Sequence, residues 1–568
     1  MHRHVLALAL VAAIAATACS TRPDAVVEAA PEPAGDMQLD AIAVSGARAQ
    51  AEQARRTPLR ERHAAMPATL VAMPAPPAPP PLVAQPANTE QYAERQDNPV
   101  QRVSEQPVST FSIDVDTGSY SNVRRMLRGG VRPPADAVRA EEFINYFDYG
   151  HPGPDSADTP FCATVEIAPA PWNAKRHLLM IGIKGFDVPK AHLPPANLVF
   201  LIDTSGSMNS PDKLPLLKQA FAELTGQLRA QDRVSIVVYA GSAGLVLPPT
   251  PGDRKHEILA ALERLEAGGS TNGGDGIRLA YAMARRAFIE GGVNRVVLAT
   301  DGDFNVGTVD GGSLETMVAD QRRSGIALTT LGFGQGNYND HLAERLADAG
   351  DGNHAYIDTL LEARKVLVEE MSSTLLTIAQ DVKIQLEFNP ALVSEYRLIG
   401  YENRVLARED FANDRVDAGD IGAGHEVTAL YEIALAGSGG EQLPALRYGA
   451  AAATPDASGA GEFAHLRLRY KRPGQTQSRL IETPVTRSAM RSQPGESMRW
   501  AATVAAFADA LRGGGRLGDW DWDAIAASAR QARGDDPWKL RAEFVELVGE
   551  AAALVAGRDG SESPPVAR

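Results

Sequence analysis

Between about residue 195 and residue 378, short runs of branched apolar residues alternate with amphipathic helical stretches, and this alternation leaves few folds open. The runs are Asn197–Ile202, Arg233–Tyr239, Asn294–Ala299 and Ile326–Phe333. Each is apolar on successive rather than alternate residues, as a strand buried on both faces must be. Between them Leu214, Leu217, Phe221, Leu224 and Leu228 recur at helical spacing, with Ser210-Pro211 as a start signal. Ile277, Tyr281, Ala284 and Phe288 mark a second helix face. Strand and helix in turn predict a parallel sheet covered by helices on both sides, an α/β doubly wound fold.

The chain has 568 residues, too many for one core, and its length alone suggests about two to four domains. The pattern divides it further. Residues 1–18 read as a signal peptide and 19–98 as an Ala/Pro-rich tether, with PAPPAPPP at 74–81 favouring extended polyproline conformation. Residues 99–194 combine helical stretches (Tyr120–Leu127, Ala140–Phe147) with strands at Ser109–Val115, 161–168 and 177–184. The α/β domain spans 195–379 and ends on a helix expected over Leu360–Ala379. A β-rich region follows over 380–480, with antiparallel strands at Val382–Phe388, Glu426–Leu435 and Glu462–Tyr470. The last part, 481–568, reads as helical: Trp500, Val504, Phe507 and Leu511 share a face, and Asp536-Pro537 opens a helix to about Leu554. The strands before 195 and after 380 are expected to join in one frame around the α/β domain.

The start of the chain is expected to direct export. His2, Arg3 and His4 precede an apolar run from Val5 to Ala16, too short to span a bilayer, and Ala16-Thr17-Ala18-Cys19 closes it. Cleavage before Cys19 resembles the bacterial lipobox, with Ala16 where a leucine is usual; the resemblance implies lipidation of Cys19 and, with Ser20 following, an outer-membrane anchor facing periplasm or surface. Cys162 is the only other cysteine, which excludes a disulfide framework. It lies in a strand-like run and reads as a packed apolar residue. The formal net charge of −15 argues against nucleic acid and suits a chain that attracts divalent cations.

Three segments carry chemistry. The first buried strand ends in Asp203-Thr-Ser205-Gly-Ser207, a later loop reads Gly268-Gly-Ser-Thr271-Asn-Gly-Gly, and another strand ends in Thr300-Asp301-Gly-Asp303. Loops at the carboxyl ends of such strands converge on one crevice. Three hydroxyls and two carboxylates can meet there, all of them the oxygen donors that a hard cation such as Mg²⁺ requires. Asn209, Asn272 and Asp303 are near neighbours in sequence and fit either a supporting role around the ion or ordinary turn positions.

The set DxSxS, a threonine about 65 residues on, and an aspartate about 30 further resembles the metal-ion-dependent adhesion site of the von Willebrand factor type A domain. The resemblance implies a Rossmann-like fold over 195–378 and a metal site in which Ser205, Ser207 and Thr271 ligate through hydroxyls. Asp203 and Asp301 then act directly or through water. It also implies Mg²⁺, with Mn²⁺ or Ca²⁺ as alternatives, and a protein partner that offers an Asp or Glu carboxylate to the ion. In related domains shifts of the last helix are linked to metal affinity. Flanking stretches, Glu105 to Tyr120, Arg139-Ala-Glu-Glu-Phe-Ile-Asn-Tyr-Phe147 and Arg541-Ala-Glu-Phe544, resemble the bacterial YfbK-like lipoproteins that contain such a domain.

The expected function is therefore cation-dependent protein binding by a membrane-anchored domain, not catalysis. An envelope scaffold whose metal only stabilises the fold is one alternative. A Mg²⁺-dependent phosphatase is another, because Asp114-Val-Asp116-Thr117 matches a DxDxT motif with a nucleophile and a general acid. Gly332-Phe-Gly334-Gln-Gly336 lacks a GK[ST] sequence, so no nucleotide is expected, and His256-Glu257 lacks the second histidine of a zinc protease.

Overall fold

The computed structural model describes residue 92 and residues 96–113, 116–269, 273–302, 311–335, 340–370, 373, 375–416, 418–444, 461–518 and 520–559. The apolar runs expected to be buried strands are the centre of a six-stranded sheet. Its order is His354–Ile357, Ala327–Phe333, Val293–Thr300, Ala196–Asp203, Arg233–Tyr239 and Ala243–Pro251. All neighbours are parallel except the last strand, which runs antiparallel along one edge. Every residue of Ala196–Asp203 is buried, as its position in the middle of the sheet demands. Phe200, Phe221 and Leu217 pack on one face, and Val199, Ile277 and Tyr281 on the other.

The sheet is an insertion between strands of a second assembly. Phe161–Ala170 and Asn173–Gly185, which precede it, pair with each other, and Asn173–Gly185 pairs on its other side with Glu426–Leu435, which follows the insertion. Val393–Ile399 and Gln101–Arg102 complete that antiparallel sheet. In the other, Thr377–Phe388 pairs Glu462–Lys471 on one side and Val108–Ser112 on the other, with Ser478–Thr486 beyond Glu462–Lys471. Phe111, Ile181, Leu386, Tyr431 and Leu466 from both sheets share one core. A helical layer of Tyr120, Phe143, Phe147, Trp500, Phe507 and Phe544 covers the first sheet through Leu178 and Met180.

Several boundaries differ from expectation. The helix expected over Leu360–Ala379 runs from Leu360 to Arg364 and passes into one wider turn, Lys365–Glu369; Thr377–Ala379 are already strand. Thr377 and Ala379 pair with Gly422 and Ile421, so sheet hydrogen bonds take this segment from the helix. The region from 481 opens with strand to Thr486, and its helices are Glu496–Arg512, Trp522–Gln531 and Leu540–Asp559. Phe288, expected on a buried helix face, is 43% exposed because that helix ends at Arg286. Among the described residues no helix is long and apolar enough to cross a membrane. Cys19, the signal segment and most of the tether lie outside the described residues.

Candidate metal centre

The central strand delivers Asp203 to the carboxyl edge of the sheet. Thr204 then donates its backbone N–H to the Tyr239 carbonyl (2.9 Å) at the end of the adjacent strand. Gly206 N–H donates to Gly269 O (3.1 Å) and Gly268 N–H to Thr204 O (2.8 Å), which ties the first loop to the one that carries Thr271. Within the first loop Ser205 N–H donates to Asp203 Oδ1 at 2.8 Å, and the Ser205 and Ser207 hydroxyl oxygens stand 3.0 Å apart. Ser205 is buried and Ser207 exposed, so the pair leads from the carboxylate to the surface.

The third segment meets them by register. Ile202 lies opposite Ala299, which sets Asp203 beside Thr300 and Asp301 one residue beyond. Thr300 Oγ1 is 3.5 Å from Asp203 Oδ2 and accepts the Gly302 N–H at 3.1 Å. Asp203 and Asp301 are 0% and 1% exposed. Burial, with the negative charge of Asp301 added, pushes the Asp203 carboxyl up to about 6 against hydrogen bonds from Ser205 and Tyr239 that favour ionisation. Four of the five candidate ligands, Asp203, Ser205, Ser207 and Asp301, are thus brought to one edge of the sheet. Thr271, Asn272 and Asp303 lie outside the described residues, and Asn209 is exposed on the turn Gly206–Asn209.

The donor set fits a hard divalent cation: neutral hydroxyls beside two buried carboxylates. Among the described residues no group of three His, Cys, Asp or Glu is arranged for a metal. The sequence reading missed one residue here. Lys213, just before the helix Leu214–Gln227, places its Nζ 2.9 Å from Asp301 Oδ2, with both side chains buried. Its place between the loop Asp203–Ser207 and an apolar helix was the only signal in the sequence.

The other motifs lie elsewhere in the fold. Asp116 is buried, accepts the His354 N–H at 2.8 Å and lies 3.5 Å from Arg404, so it anchors the edge strand His354–Ile357; Asp114 lies outside the described residues. Gly334 of the glycine-rich segment has φ +72° and lies against the methylenes of Lys213. His256 is exposed on the helix Lys255–Glu263. Cys162, expected to be buried, is half-buried; its thiol donates to Pro152 O at 2.7 Å, and burial pushes its pKa up.

Three family models match successive parts of the chain. The family described as "von Willebrand factor type A domain" matches residues 197–370, "Uncharacterized protein YfbK, C-terminal" matches 373–554, and "von Willebrand factor" matches 86–180. The chain is 49% identical over 466 residues to the protein YfbK of Escherichia coli (strain K12), covering 81% of this chain and 80% of that one. It is 27% identical over 300 residues to the protein sll0103 of Synechocystis, covering 51% and 65%. A solved structure, "von Willebrand factor type A from Catenulispora acidiphila", aligns at 16% identity and TM-score 0.37, over 74% of this chain and 93% of that one. The chain belongs to the YfbK family and carries a von Willebrand factor type A domain at its centre.

Proposed function

We propose that this chain binds a protein partner through a divalent cation held by Asp203, Ser205, Ser207, Thr271 and Asp301. The observation that carries the reading is the pair of serine hydroxyls 3.0 Å apart, beside two buried carboxylates on neighbouring strand ends. Mg²⁺ suits hydroxyl and carboxylate oxygens and retains exchangeable positions. One such position accepts an Asp or Glu carboxylate from the partner, a charge-assisted contact that depends on placement. No step of this function is catalytic. The chain acts as an exported lipoprotein, held by Cys19 at the outer membrane with residues 19–98 as its tether.

The test is calorimetric titration of Mg²⁺ into the wild-type chain and Ser205→Ala, paired with capture from envelope extracts in Mg²⁺ or EDTA. Ser205→Ala is expected to weaken Mg²⁺ by about tenfold or more, the loss of one ligand costing at least about 1.4 kcal/mol. Capture should disappear with either EDTA or the substitution. An unchanged Mg²⁺ isotherm in Ser205→Ala sinks the ligand assignment. For the scaffold alternative, Asp203→Ala would lower the unfolding midpoint and leave capture intact.

A further inference from the structure

Lys213 is the part of the site that a cation would not call for. Its side chain is 7% exposed, and its ammonium donates to a carboxylate that is 0% exposed. Nothing about it resembles a mobile surface lysine. The backbone is fixed by Lys213 N–H donating to Ser210 O (3.0 Å) and Lys213 O accepting from Leu217 N–H (2.8 Å). Its methylenes run across Gly334 so closely that a Cβ there would sit 2.2–2.7 Å from Lys213 Cε, Cγ and Cδ. Gly334 is itself held, since its carbonyl accepts the Tyr356 hydroxyl. The Arg125 guanidinium lies 5.7 Å from the Tyr356 ring centre and donates to Gln335 at 3.2 Å. A channel of glycine and tyrosine thus aims one ammonium at one metal-site carboxylate.

We propose that Lys213 is a built-in counter-charge that occupies one oxygen of Asp301, weakens the site's hold on a free cation, and leaves the bound cation in need of an anionic ligand. The proposal rests on the reading of Asp203, Ser205, Ser207, Thr271 and Asp301 as a cation site. Two carboxylates alone would neutralise a divalent cation. With the lysine present, the loaded site keeps a net positive charge in a poorly hydrated place, where unpaired charge is costly. A partner's carboxylate removes that cost. Cation and acidic ligand therefore bind cooperatively, each strengthening the other by the same factor. Without the cation, the ammonium spares Asp203 and Asp301 from facing each other uncompensated.

The experiment uses the full chain, with Mg²⁺ as the metal probe and acetate as the carboxylate probe. Mg²⁺ is titrated calorimetrically into wild type, Lys213→Met and Lys213→Gln, with and without acetate, and melting temperatures are taken with EDTA and with saturating Mg²⁺. Both substitutions are expected to tighten Mg²⁺ by about tenfold or more in the absence of acetate, since a positive charge near the ion is removed. Acetate should tighten Mg²⁺ binding in wild type and have little effect in the variants. The melting temperature in EDTA should fall, and the rise on adding Mg²⁺ should exceed that of wild type. Lys213→Gln keeps a hydrogen-bond donor for Asp301, so it retains the fold if Lys213→Met does not. Unchanged or weaker Mg²⁺ affinity in both variants, with equal destabilisation of the two forms, identifies an ordinary structural ion pair and overturns the proposal. Failure of the wild type to bind Mg²⁺ overturns the cation-site reading itself.

Discussion

Replacing Arg124 by methionine is expected to cost about 3–5 kcal/mol of stability, the range seen when one member of a buried ion pair is removed and its partners stay. The guanidinium is fully buried on the helix Gly118–Arg128, which packs against the edge strand of the central sheet. Its nitrogens reach Asp358, Glu362 (2.7 Å), Glu543 (2.8 Å) and the Tyr146 hydroxyl (2.8 Å). Burial works against the charged form, but Tyr146, Asp358 and Glu362 outweigh it and hold its pKa well above the usual arginine value. Asp358 and Glu362 open the last helix of the inserted domain, whereas Glu543 belongs to the final helix of the chain. One side chain thus joins three segments far apart in sequence. In Arg124→Met the carboxylates remain in place with no guanidinium, and Glu362, already pushed up by burial, takes a proton to avoid its isolated charge. Urea unfolding at pH 7 measures the loss; a change under about 1 kcal/mol would show that water enters and replaces the arginine.

Acid is expected to destabilise the frame through His151. Its ring lies on strand Asn173–Gly185 at Gly182, where a Cβ would fall 2.2–2.6 Å from ring atoms, and its Nε2 is 2.9 Å from Thr428 Oγ1. Burial pushes the imidazole down to about 4; Asp148 opposes this and Lys184 adds to it. The unfolded chain holds a histidine of about 6.5, so between about pH 6.5 and 4 the unfolded state binds more protons. Stability is therefore fully present above about 6.5 and is lost as pH falls toward 4, by up to about 3 kcal/mol from this group. His177 and His425 are also lowered by burial and act in the same direction. For that reason the measurement is a difference: urea unfolding of wild type and His151→Asn from pH 8 to pH 4.5. The wild-type advantage should shrink by about 2–3 kcal/mol across that range. A constant gap would mean that the imidazole has the same pKa in the folded and unfolded chain.

The central strands were legible because burial on both faces leaves a mark within a few residues. In Asn197–Ile202 each side chain is chosen by its immediate surroundings. The carboxylates and hydroxyls of the metal site were legible for a related reason: Asp203, Ser205 and Ser207 are tied to one strand end, and Asp301 to another. The edge strand Ala243–Pro251 was not read, since Pro248, Pro249 and Pro251 mark it as loop. An edge tolerates them because half of its N–H groups need no partner, and its pairing with Arg233–Tyr239 is irregular around Ile236. The strand Val393–Ile399, between Gln101–Arg102 and Glu426–Leu435, was also missed; its Glu395 and Arg397 interrupt the apolar pattern yet are buried against Arg176 and Glu432.

By itself, then, the sequence determined the α/β class of the central domain and four oxygen donors that the sheet brings to one edge. Both are set by local spacing: side-chain period in a strand or helix, and the fixed distance of a loop residue from a strand end. Tertiary structure decided what surrounds them. Arg124 meets acids 234, 238 and 419 residues away, and Lys213 meets Asp301 across 88. A charge buried by a distant partner looks, in sequence, like a charge in water. Only the closed fold removes the water and makes the pairing obligatory.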